Sequence, residues 1–221
     1  MAHLEHLFAR GIRFDTEVQY LARGSRGAQS LRYQDLPVCK SACVRECAIT
    51  SVMQCVAVLA QMPRTMAMRK LRRWMQAGKG NTVDTIDGSD LLRCIADFDA
   101  DVAAELLSLD SASEIGRAAW AALRTGQMGM LWFETPQGRR WATLIGVERG
   151  RITQQVRVLL LLDASASEPW ACAHNVRIEL ESPTGSGAHS SPGFELRCRH
   201  LTGEASGVRL LGLMVLKPRH R

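Results

Sequence analysis

The stretch that decides the fold is "GRRWATLIGVERGRITQQVRVLLLLDAS", residues 138–165. It holds two apolar runs, "WATLIGVE" and "ITQQVRVLLLLDAS", separated by the short turn "RGR", residues 149–151. Apolar runs of this length, rich in Val, Ile, Leu and Thr and bounded by Gly, read as adjacent antiparallel strands. Upstream, "MGMLWFE" is a third such run, joined to Gly138 by the turn signal Thr135-Pro136-Gln137-Gly138. Downstream, the pattern predicts strands at Val176 to Glu181, Phe194 to Arg199 and Val208 to Leu216. The Gly/Ser/Pro-rich segment 182–193 reads as a surface loop.

Before Gly126 the periodicity is helical. Ile49, Val52, Met53, Val56 and Leu59 recur at three- and four-residue steps from Glu46 to Gln61, and Met62-Pro63 ends the run. A second helix is expected over Thr65 to Gln76 and a third from Ser89, taken as its N-cap. A fourth begins at the capping box Ser111-x-x-Glu114 and closes at Gly126. Helices first and strands later is the α+β signature. The expected layout is an arm over 1–36, partly irregular, then one domain over 37–221. Its helical part is 44–126 and its sheet part 127–217, with the helices packed on a late antiparallel sheet.

The chain has 221 residues, 46% apolar and 23% charged, with a formal net charge of +6. No apolar run is long enough to span a membrane as a helix. The N-terminus "MAHLEHLFARGIRF" is too charged to supply a signal peptide's apolar region. The expectation is a bacterial-type cytoplasmic protein, or one exported without a cleavable signal. The basic cluster Arg64, Arg69, Lys70, Arg72 and Arg73 fits a phosphate- or acid-binding patch, or a solvated helix face. No zinc-finger spacing, nucleic-acid-binding aromatic motif or phosphate loop accompanies it, so nucleic acid is the less favoured partner.

Seven cysteines, four of them within 37–55, form an odd count with no export signal, which argues for reduced thiols. Cys39, Cys43 and Cys47 follow a C-x3-C-x3-C spacing. On one straight helix the outer two would lie ~12 Å apart along the axis, too far for a single zinc. A metal would need an irregular segment before Cys47 and a fourth ligand such as Cys172, His174 or Cys198. No metal and no cofactor is assigned. Cys55, Cys94, Cys172 and Cys198 read as small core or surface thiols. Cys47 differs, because it stands at the entry of the first central helix, where backbone N–H groups stabilise a thiolate.

A cysteine opening a central helix, with helices after it and strands last, resembles the papain-like cysteine peptidases. The nearest branch includes the leader-processing peptidases of bacteriocin exporters and their stand-alone relatives. Glu46-Cys47-Ala48-Ile49-Thr50-Ser51-Val52-Met53 resembles the motif around that family's nucleophile. Gly138-Arg139-Arg140-Trp141 resembles its Gly-x-His-Trp hairpin, and Leu160-Leu161-Leu162-Asp163 its strand ending in Asp. The resemblance covers about 40–170. It implies a papain-like fold, Cys47 as nucleophile, and Asp163 as the residue that orients the base. The family's histidine, however, falls on Arg140, whose guanidinium cannot shuttle a proton near neutrality. The position of the family's oxyanion glutamine is Ser41. Of the six histidines, His174 is the best substitute base.

The resemblance therefore implies a catalytically degenerate peptidase-like module that binds a protein or peptide; Arg139, Arg140 and the Arg64–Arg73 cluster would favour an acidic one. Arg139, Arg140, Trp141 and Ser41 are its candidate binding residues. An Arg140–Asp163 ion pair would replace the missing couple. The alternatives are an active cysteine hydrolase or acyltransferase using Cys47 with a displaced histidine, and a metal- or nucleic-acid-binding protein.

Overall fold

A computed structural model of the chain describes residues 16–20, 44–60, 62–77, 87–98, 101–166, 174–180 and 196–219. In chain order the elements are β1 (Thr16–Tyr20), α1 (Val44–Leu59), α2 (Arg64–Ala77), α3 (Gly88–Phe98), β2 (Val102–Leu107) and α4 (Ala112–Arg124). Six strands follow: β3 (Met128–Thr135), β4 (Gly138–Gly150), β5 (Val156–Leu162), β6 (Val176–Glu179), β7 (Leu196–His200) and β8 (Ala205–Pro218).

Those last six strands form a ring. Around it the order is β4, β3, β8, β7, β6, β5 and back to β4, with every pairing antiparallel. The papain-like α+β arrangement expected from the sequence is therefore overturned: the architecture is a closed six-stranded β-barrel with few helices. Closure depends on curvature, and β-bulges supply it. The ladder shifts register at Leu144/Gly146 and Glu148/Arg149 in β4, and at Trp132/Phe133 where β3 meets β8. These irregularities bend two long strands until β5 can pair with both β4 and β6. A hydrophobic pattern shows that "VLLLL" is buried on both faces, and Val158 to Leu162 are indeed buried. It does not show that this run is the seam that closes a ring.

Two strands lie outside the ring. β1 pairs with Gly146–Gly150 of β4, beyond the start of β3. β2 pairs with Leu213–Pro218 of β8, beyond the last pairing with β7. Neither was anticipated; β1 falls in the segment read as an arm.

The helix boundaries follow the sequence closely. Ser111 Oγ accepts a hydrogen bond from Glu114 N at 3.2 Å, as a capping box requires, although the Glu114 carboxylate reaches back to Asp110 N at 3.0 Å instead of Ser111. Gly126 has φ +72°, with Gly126 N donating to Leu123 O and Gln127 N to Ala122 O, the Schellman pattern. For α3 the cap is Asp87, whose Oδ1 accepts from Asp90 N at 2.8 Å, and not Ser89. The stripe expected along α1 is wider than one face: Cys47 to Ala57 are all buried. α1 lies between the strands β3, β4 and β8 and the helix α2, so it has no solvent side over that span.

Candidate functional site at the barrel mouth

One end of the barrel is formed by the start of β4, the end of β5, the start of β6 and the end of β7. The β3–β4 turn leads into it. There Gly138 takes φ +123°, and Thr135 Oγ1 accepts from Gln137 N and donates to Gly138 O. Arg140 follows two residues later. Asp163 comes one residue after β5 ends.

Asp163 is held by its backbone first. Its N–H donates to Asn175 Oδ1 at 2.8 Å, and its carbonyl accepts from Asn175 Nδ2 at 2.7 Å. Asn175, the residue before β6, thus continues the ladder with its side chain where the strand has stopped. The Asp163 carboxylate is buried, with 1% of the side chain exposed. Its Oδ1 accepts from Ser165 N at 2.8 Å and from Ser165 Oγ at 2.7 Å. Its Oδ2 faces Arg140 Nη1 at 3.7 Å, with no closer hydrogen-bond donor. Arg140, 25% exposed, also donates from Nη1 to Ser165 Oγ at 2.5 Å. Arg140, Asp163 and Ser165 therefore form a closed triangle. The ion pair anticipated as a replacement for a base–carboxylate couple is present.

Cys198 in β7 lies in the field of this pair. Burial pushes its thiol up to about 12; the Asp163 carboxylate adds to that and Arg140 opposes it. The thiol is therefore protonated at neutral pH. Cys55 is raised even more strongly by burial, despite a hydrogen bond with Thr143. Sequence reading classed both as small thiols, and both belong to the core. It missed Ser165 and Asn175. The available signal was the Asp163-x-Ser165 spacing, which suits a side-chain turn at a strand end.

Cys47 sits in the first turn of α1 and is 2% exposed. It shares a helix face with Ser51 and Cys55, four and eight residues on. Ser51 Oγ donates to Trp141 O at 3.4 Å, and Cys55 Sγ approaches Gly129 O at 3.7 Å. Thr143 Oγ1 donates to Gln54 Oε1 at 2.5 Å. Helix and strand thus advance together: the Ser51 level meets Trp141, and the Gln54 level meets Thr143. One helical turn before Ser51, ~6 Å back along the axis, carries Cys47 toward the Arg140 end of β4.

His174 adjoins Asn175 in sequence. Its pKa is lowered to about 4, first by burial and then by the Arg177 charge, so its imidazole is neutral at pH 7. Arg139 points elsewhere. Its Nε meets Glu134 Oε1 at 3.3 Å, its guanidinium lies 5.9 Å from the Trp132 ring centre, and Glu134 also bonds Arg209. The Arg209 hydrogen bond first, and Arg139 after it, hold the Glu134 carboxyl below its usual range. Trp141 is fully buried and stacks on Trp132, with centroids 5.4 Å apart and planes within 3°. It is packing beneath the surface, not a contact for a partner. Ser41, Cys39 and Cys43 lie outside the described residues. Among the described residues, no group of three or more His, Cys, Asp or Glu side chains is arranged to hold a metal.

No helix among the described residues is long and apolar enough to cross a membrane. Comparison with known proteins adds no relative: no protein-family model matches the chain, and neither does any curated protein.

Proposed function

We propose that this chain is a cysteine-peptidase-like protein that no longer catalyses and acts as a binding module for a protein or peptide of acidic character. The closed barrel lends the family resemblance no support. The support is local, and one observation carries it: Arg140, the position at which the resemblance expects a proton-shuttling base, is instead bonded to Ser165 and paired with the buried Asp163. A guanidinium stays charged across the working pH range, so it can attract an anion but cannot return a proton to a leaving group. Cys47, 2% exposed, is also screened from any bulky carbonyl substrate.

The test is reaction of the folded protein with a vinyl-sulfone electrophile, mapped by mass spectrometry. The expected result is no selective labelling of Cys47 at neutral pH until the protein is unfolded. Selective labelling that disappears in His174→Ala would overturn the reading in favour of an active cysteine hydrolase.

A further inference from the structure

From residue 47 to residue 83 the chain contains no Asp or Glu, yet residues 64–73 alone carry four arginines and a lysine. All of that charge falls on α2. Within the helix, no carboxylate stands three or four residues from any of these cations, so no intrahelical pair can neutralise them. Arg69, Arg72 and Arg73 are exposed. Elsewhere among the described residues, Arg93, Arg117, Arg139, Arg140, Arg177, Arg199 and Arg209 are engaged in ion pairs. α1, against which α2 packs, contributes Glu46 as its one carboxylate.

We infer that the exposed face of α2 around Arg69, Arg72 and Arg73 is a docking surface for an acidic polypeptide segment. Charge complementarity argues for such an occupant: three guanidiniums within one turn of helix can take up carboxylates in bidentate fashion. A lipid surface fits less well. The apolar side of α2 is already used, with Ala67 and Leu71 buried in the core and Met68 and Trp74 packed against it. What remains exposed among the described side chains of α2 is the single large apolar side chain Met66, too little for insertion into a bilayer. A nucleic acid fits less well too. The patch runs only ~6 Å along the axis from Arg69 to Arg73. Its aromatic neighbour Trp74 packs against the core and is no open stacking platform. This inference rests on the binding-module reading and deepens it by assigning the surface that holds the acidic partner. The two fail separately, because Cys47 labelling reports on the first turn of α1 and charge-dependent binding reports on α2.

The experiment measures binding of a fluorescent glutamate-rich peptide to the full chain, over a range of salt, against an oligonucleotide of equal charge and anionic vesicles. The peptide is expected to bind, and to bind less tightly as salt rises. The triple variant Arg69→Gln/Arg72→Gln/Arg73→Gln should lose roughly tenfold or more in affinity. The corresponding triple Lys variant should lose less, and Arg124→Gln/Arg151→Gln, at other exposed positions, should lose nothing. If the triple Gln variant does not fold, Arg72→Gln alone takes its place and should lose roughly threefold. Unchanged binding in the α2 variants, an equal loss in the control, or tighter α2-dependent binding of the oligonucleotide or the vesicles overturns the inference.

Discussion

At the scale of single residues, the barrel mouth shows how a charge can be kept inside a protein without catalysis. The Asp163 carboxylate is buried, and such a group is tolerated only when its charge and lone pairs are met. Ser165 meets one oxygen twice, and Arg140 supplies the opposite charge to the other. Removing one partner leaves the other stranded. Arg140→Ala should therefore destabilise the fold by about 1–3 kcal/mol, read from urea unfolding. His174 sets a pH dependence. Its folded pKa is depressed to about 4 from 6.5, so the unfolded chain binds its proton first as acid is added. Stability is then complete above pH 6.5 and falls as the pH drops toward 4. His174→Gln should flatten that slope in a series of denaturation curves. At this scale the sequence was a fair guide. It anticipated the Arg140–Asp163 pair only through the resemblance to papain-like peptidases, whose fold the chain does not adopt. Ser165 and Asn175 escaped it, because a small polar residue after a strand has many uses and only coordinates show which backbone it clasps.

At the scale of elements, local chemistry was legible and mutual packing was not. The capping box at Ser111 and the turn at Gly126 fix α4 from its own residues. Ser111→Ala should cost about 1 kcal/mol in thermal or urea unfolding by removing the Glu114 N–H acceptor. Gly116 within that helix tells the opposite story. A glycine there is a poor helix former, and Ala would gain about 1 kcal/mol of propensity. A Cβ at that position, however, would stand 2.8 Å from Leu180 Cδ1 and 3.1 Å from Val156 Cβ. Overpacking of this kind costs about 1–3 kcal/mol, and Val156 Cβ is too close to its backbone to swing away. Gly116→Ala should consequently lower the urea midpoint, whereas propensity alone predicts a rise. No periodicity reveals this, since the residues that forbid a side chain lie some 40 and 64 positions further along the chain.

At the scale of the whole molecule, the ring decides how stability is distributed. Each of its strands has at least two neighbours, whereas β1 hangs on the far half of β4 alone. Native-state hydrogen exchange should therefore find the amides of Leu159 to Leu161 opening only with global unfolding, and those of β1 opening at a lower free energy. Equal protection of the two would contradict the ring. The sequence told of strands in the right places and in the right order from Met128 onward. It could not tell that they close. An open sheet and a barrel share the same alternation along each strand and differ in which distant edges meet. Here that difference rests on the bulges near Gly146 and at Trp132/Phe133.

The parallel indoles of Trp132 and Trp141 carry one more consequence. Two chromophores held face to face at 5.4 Å couple their excited states. The pair therefore acts as an optical gauge built into the β3–β4 hairpin. A slip of one residue between those strands would send one ring to the opposite side and extinguish the coupled band in circular dichroism. Alignment of the hairpin could then be followed in real time during refolding, with no dye attached.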